Sequence, residues 1–161
     1  MSDKLHANAV RAQQAITDAG LDATVKTLDE SAHTVAEAAA ALEVKEAQIA
    51  KSLIFMADGE PVMIVASGDQ RIDTKLLSEH MGGKKIKRAD ADAVRSATGY
   101  PIGGVSPAGL PGELTVLVEE SLDRFDAVWA AAGTPHAVFC STYKELLQLT
   151  GGTPSNVGMP S

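Results

Sequence analysis

The chain has 161 residues, 45% of them hydrophobic, and carries 14 Lys and Arg against 21 Asp and Glu, a net charge of −7. That length suits one domain burying roughly two-thirds of its unfolded surface, and the acidic balance argues against a protein that coats nucleic acid. A single cysteine excludes a disulfide framework. No window reaches the roughly 18 apolar residues of a membrane span and no basic-then-apolar leader opens the chain, so a cytoplasmic protein with no membrane partner is expected.

Asp3 can cap a first helix whose apolar residues Leu5, Ala9, Ala12, Ile16 and Ala19 recur at spacings of three and four, ending at Gly20. Thr24 to Leu28 reads as a short strand, and Thr34-Val35-Ala36-Glu37 is a capping box opening an alanine-rich helix to about Glu43. Two apolar strands follow, Ile49 to Ala57 and Pro61 to Ala66, joined by the hairpin dipeptide Asp58-Gly59. Both are apolar on both faces, which predicts a sheet covered on each side.

The period of two places Lys51 on the face of Ile49, Leu53 and Phe55. There its ammonium either reaches out to water or lines a pocket as a donor to phosphate or carbonyl oxygens. Asp73 caps the next helix, which passes His80 near its end and stops at Gly82-Gly83. Lys84 to Arg88 continues as a short strand. From Arg71 to Arg95 seven basic residues face four acids, a local balance of +3 that reads as a solvated face or as a contact for a nucleic-acid end.

Asp90 caps a helix that leads into Gly99-Tyr100-Pro101-Ile102-Gly103-Gly104-Val105-Ser106-Pro107. With three glycines and two prolines in nine residues, this stretch is neither helix nor interior strand. It is a rigid loop in which Gly103 and Gly104 expose main-chain donors and acceptors, and it serves either as a connector or as a binding wall. Strands are then expected at Leu114 to Glu119, Asp126 to Ala132 and His136 to Cys140. A second capping box, Thr142 to Glu145, opens a last helix that stops at Gly151. The tail 153–161, with two prolines and no periodicity, is expected to be loosely held.

No nucleophile elbow, phosphate-binding Walker loop or His-Glu-x-x-His motif is present, and neither a metal site nor a cofactor is expected. Cys140 lies in an apolar run and reads as a small buried hydrophobe. Ser106 has no base beside it in sequence, and His33 and His136 are scattered candidates.

Ile49 to Phe55, with Lys51 third, and Gly99 to Pro107 together resemble the YbaK/ProX family of aminoacyl-tRNA deacylases, related to the editing insertion of bacterial prolyl-tRNA synthetase. The resemblance runs from about Leu21 to Gly151. Helices and strands interleave throughout residues 1–161, which reads as a single α/β domain with a mixed sheet. The resemblance implies that this sheet is strongly twisted and closes toward a barrel with helices outside. It also implies trans-editing: hydrolysis of the ester of a mischarged aminoacyl-tRNA carrying a small amino acid such as Ala, Cys, Ser or Thr, with proline tRNA the first candidate.

The family's essential lysine maps onto Lys51 and its Gly-x-x-x-Pro loop onto Gly103 to Pro107, so Lys51, Gly103, Gly104 and Pro107 are the expected catalytic set. Ser52, Ile102, Val105, Ser106 and His136 are the expected substrate-binding positions. Water oriented by the substrate's 2′-hydroxyl or the loop, or a substrate thiol, would attack. The partners implied are the aminoacyl-tRNA acceptor end and prolyl-tRNA synthetase. The alternative is a module that binds aminoacyl-tRNA or another nucleotide end without catalysis. Oligomeric state is open.

Overall fold

The computed structural model describes residues 3–28 and 34–160, apart from the side chains of residues 3–6. The side chains of Asp3 and Leu5, and His33 and Ser161, therefore lie outside the described residues. The helices are α1 (Asp3–Asp18), α2 (Val35–Leu42), α3 (Thr74–His80), α4 (Ala91–Thr98) and α5 (Tyr143–Thr150). The strands are β1 (Lys26–Thr27), β2 (Ile49–Ala57), β3 (Glu60–Ser67), β4 (Gln70–Ile72), β5 (Ile86–Arg88), β6 (Thr115–Glu119), β7 (Val128–Ala131), β8 (Ala137–Ser141), β9 (Thr153–Ser155) and β10 (Gly158–Pro160).

Local chemistry explains most boundaries. Thr34 and Glu37 form the expected reciprocal capping box, and the Asp73 and Asp90 carboxylates accept from main-chain N–H groups in the first turns of α3 and α4. Asp58 and Gly59 both take positive φ, 49° and 81°, the geometry of the tight hairpin turn between β2 and β3. At α5 only half of the expected box forms. Thr142 accepts from the Glu145 N–H at 3.1 Å, but the Glu145 carboxylate instead accepts from the Ser141 hydroxyl at 3.4 Å.

The large mixed sheet has the order β1-β8-β7-β2-β3-β6-β9, with β5 also on β2. The β2–β3, β2–β5, β7–β8 and β1–β8 pairs are antiparallel, whereas β2–β7, β3–β6 and β6–β9 are parallel. Both faces are covered, as the apolar strands predict. Ile54, Met63, Val65 and Phe139 pack on one face with Ile16 of α1 and Leu146 of α5. Phe55, Val62, Ile64 and Leu117 pack on the other with Leu77 of α3 and Val157. Each large side chain buried in this way contributes about 1.5–3 kcal/mol relative to exposure.

The loosely held tail is a correction. β9 pairs with β6, and β10 pairs with β4 in a separate two-stranded sheet. The carboxylate of Glu119, 1% exposed, accepts from the Ser155 hydroxyl at 2.5 Å and from the N–H groups of Val157 and Gly158 at 3.0 and 2.7 Å. Two three-residue strands containing proline leave no local signal, and their partners lie far away in sequence.

Candidate active site at the fork of β2

Along one edge β2 has two different partners. β7 pairs with Ile49 and Ala50, and β5 pairs with Phe55 to Ala57. Between them, residues 51–53 carry a strand on the β3 side only. The Ile54 carbonyl accepts from Ala89 N–H at 3.3 Å and the Asp58 N–H donates to the Lys85 carbonyl at 2.9 Å, so even-numbered residues direct their main-chain groups toward the fork. The peptide N–H and C=O of Ser52 consequently face the gap.

A cavity of about 410 Å³ fills this gap. Because it passes the edge of the strand, it draws residues from both faces of the sheet. Lys51, Leu53 and Phe55 line it from one face, joined by Ile72 of β4 and Thr74 of α3. Arg88, opposite Phe55 in the ladder, belongs to this face too. Ser52 and Ile54 line it from the other face with Val94 of α4 and Val105 of the glycine loop, and Ile102 and Gly103 complete that side. One side therefore carries the cations Lys51 and Arg88 beside the apolar Leu53, Phe55 and Ile72, and the other is apolar apart from Ser52, with open main chain between them. Among the described residues its lining includes Lys51, Arg71 and Arg88 and no acid.

Burial lowers the Lys51 pKa from its ordinary value, and the negative charge of Asp69 acts in the opposite direction. Asp69 is itself paired with Arg124 at 3.3 Å. The hydroxyl oxygen of Ser52 is buried and has no hydrogen-bond partner among the described residues.

The glycine loop is built as a wall. α4 ends on Gly99 at φ +79°, and Tyr100 is wholly buried with its hydroxyl donating to the Ala108 carbonyl at 2.7 Å. The Gly104 N–H donates to the Pro101 carbonyl at 3.0 Å, making a tight turn that leaves Ile102 61% exposed at the mouth. Gly104 lies so close to the turn before β8 that a Cβ there would stand 2.9 Å from the Thr134 Cα. Gly103, at φ +86°, faces open space.

Of the positions expected from sequence, Lys51, Ser52, Ile102, Gly103 and Val105 thus meet in one cavity. Gly104, Ser106 and Pro107 are buried behind the wall, where the Ser106 hydroxyl accepts from the Ala108 N–H at 3.1 Å. His136 enters β8 beside Thr134 and does not line the cavity. Cys140 lies opposite Trp129 on β8, away from the cavity, and burial raises its thiol pKa, with Glu145 adding to the rise.

Sequence reasoning missed Val94, Thr74 and the individual roles of Arg71 and Arg88, which it had assigned to a diffuse basic patch. Alternation along β5 could have placed Arg88 on the face of Ile86, but only the pairing with β2 shows that this face meets Lys51.

The chain is similar in sequence and fold to known proteins. Residues 29–149 match the model of the aminoacyl-tRNA editing domain. The chain is 38% identical over 127 residues to the Bacillus subtilis (strain 168) protein YwhH, covering 78% of this chain and 80% of that one. It is 36% identical over 98 residues to a proline–tRNA ligase of Nitratidesulfovibrio vulgaris (strain DP4), covering 61% of this chain but 17% of the ligase. A crystal structure described as a proposed trans-editing enzyme for prolyl-tRNA synthetase superposes with a TM-score of 0.89 at 36% identity, covering 94% of this chain and 97% of that one. The β2 fork, Lys51 and the glycine loop all fall within the matched span, and the chain belongs to the aminoacyl-tRNA editing domain family.

Proposed function

We propose that this chain is a trans-editing aminoacyl-tRNA deacylase that hydrolyses the ester between a small amino acid, such as Ala, Cys, Ser or Thr, and the terminal adenosine of a tRNA. Proline tRNA is the first candidate. The observation that carries this reading is the cavity at the fork of β2, with the cations Lys51 and Arg88 on one side and the apolar Ile54, Val94 and Val105 on the other. An aminoacyl-tRNA end has matching parts: a phosphodiester, an ester at the junction and a small side chain.

An aminoacyl ester is already activated, so positioning and charge stabilisation supply much of the acceleration without a protein nucleophile. The Lys51 ammonium donates to phosphate or to the ester carbonyl oxygen. The main chain of Ser52 and of Gly103 to Val105 holds the terminal nucleoside and ester between the two halves. Water, oriented by the substrate's 2′-hydroxyl or by the loop, attacks the carbonyl carbon. The bond from that carbon to the ribose oxygen breaks, the ribose oxygen takes up a proton, and the free amino acid leaves. In the apolar half Ile54, Val94 and Val105 limit side-chain size; such a pocket separates neighbours differing by one methylene by about 1–3 kcal/mol. Arg71 and Arg88 meet the phosphates that precede the terminal adenosine, which makes binding salt-sensitive.

The test is release of amino acid from Ala-, Cys-, Ser- and Thr-charged proline tRNA by wild type and by Lys51→Ala. Release of one or two of these, lost in a folded Lys51→Ala, is expected. Binding of the charged tRNA with no release from any of them would replace hydrolysis by the binding-module reading.

A further inference from the structure

Arg11 lies on α1, ahead of the residues that match the family model, and its side chain crosses to the neck of the glycine loop. Nη2 donates to the Thr98 carbonyl at 3.0 Å and to the Gly109 carbonyl, and Nη1 donates to the Gly99 carbonyl at 3.4 Å. The guanidinium carbon stands 4.3 Å from the centroid of the Tyr100 ring. A single planar group therefore spans both ends of the loop and stacks on the buried aromatic inside it.

The loop is shaped around this arginine. Gly99 and Gly109 take φ of +79° and +75°, and a Cβ on Gly99 would lie 2.5 Å from Arg11 Nη1. The carbonyls of Thr98 and Gly99 are also the C-terminal end of α4, where a cation is favoured by the helix dipole. The rest of α1 is anchored independently, since Ala12 and Ile16 are wholly buried in the main core. Lysine cannot reproduce this clamp, because it offers one point charge where the geometry uses a fork and a stacking plane.

We propose that Arg11 is a positioning residue for the editing site. It ties the neck of the loop to α1, so that Ile102, Gly103 and Val105 keep their place as one wall of the cavity. The kinetic part of this proposal rests on the deacylase reading above, whereas the clamp itself does not.

Hydrogen–deuterium exchange of residues 99–109 in wild type, Arg11→Lys and Arg11→Met tests the clamp. The expected result is exchange about tenfold faster at the Gly104 and Ala108 amides in Arg11→Met, with β3 unchanged and Arg11→Lys in between. Deacylation by the same proteins, with rates taken per folded molecule from their urea transitions, should show kcat falling about 10–100-fold while KM moves little; loss that disappears on this normalisation is lost stability and overturns the positioning role. Should Arg11→Met fail to fold, Arg11→Lys carries the comparison. Unchanged exchange overturns the clamp. Faster exchange with an unchanged kcat overturns the positioning role. If wild type releases no amino acid, the deacylase reading fails, and exchange by itself decides whether Arg11 holds the loop.

Discussion

Gly104→Ala separates a wall that must stay in place from one that merely contains glycine. The added Cβ would stand 2.9 Å from the Thr134 Cα, 3.0 Å from its nitrogen and 3.1 Å from the Gly133 carbonyl carbon. Carbon atoms in ordinary contact lie about 3.5–4.0 Å apart, so relief needs a movement of about 0.6–1 Å. The turn before β8 resists it: Asn8 Nδ2 donates to the Gly133 carbonyl at 3.2 Å, and the Thr134 hydroxyl accepts from Ala137 N–H at 3.0 Å. The loop must move instead, at a cost in stability of about 1–3 kcal/mol.

A displacement of that size at a reacting centre lowers the rate about 100-fold. Gly103→Ala is the comparison. There the cost is backbone strain of about 1–2 kcal/mol from φ +86°, with nothing within 4 Å of the new Cβ, and the kinetic loss should be much smaller. The assay is kcat/KM for deacylation of the best mischarged tRNA, with urea midpoints measured alongside. A folded Gly104→Ala that keeps wild-type kcat/KM would refute the argument that the loop's contact with Thr134 sets the site.

Lys51→Met should abolish deacylation and yet raise the urea midpoint at pH 7, because it removes an amine whose charging is disfavoured by burial. The folded pKa lies below 10.5, so the penalty is complete below that folded value and fades as pH rises toward 10.5. Wild-type stability therefore gains from this group across that window while the Met variant lacks the gain; a midpoint at pH 7 equal to wild type contradicts this. Glu119→Ala leaves the Ser155 hydroxyl and the Val157 and Gly158 N–H groups without their buried acceptor, and should cost about 3 kcal/mol or more with faster exchange over residues 153–160. A thermal or urea transition within error of wild type would show that the tail is not held by this carboxylate.

Much of this molecule follows from short stretches of sequence. The Asp58-Gly59 turn, the caps at Thr34, Asp73 and Asp90, and the helix stops at Gly99 and Gly151 each depend on a few consecutive residues, and each appears where the residue types place it. The two-sided apolar pattern of β2 and β3 likewise fixed a sheet covered on both faces, and the pairing of Lys51 with the glycine loop marked the family.

Tertiary structure alone decided what those parts surround. That β7 leaves β2 at Ala50 and β5 joins it at Phe55 depends on strands whose partners are up to about 80 residues distant, and this fork opens the cavity and turns Ser52's main chain toward it. The same long-range pairing resolved Lys51 as a cavity residue, drew Arg71 and Arg88 out of a general basic surface, and seated the tail on Glu119. Arg11 carries no local mark of its task either, since its partners at Thr98, Gly99 and Gly109 reach it only when α1 packs on the sheet. Caps and turns are satisfied within one or two turns of chain and can be read there, whereas a strand edge, a buried carboxylate and a guanidinium clamp are satisfied by whichever distant groups the packed core brings to them.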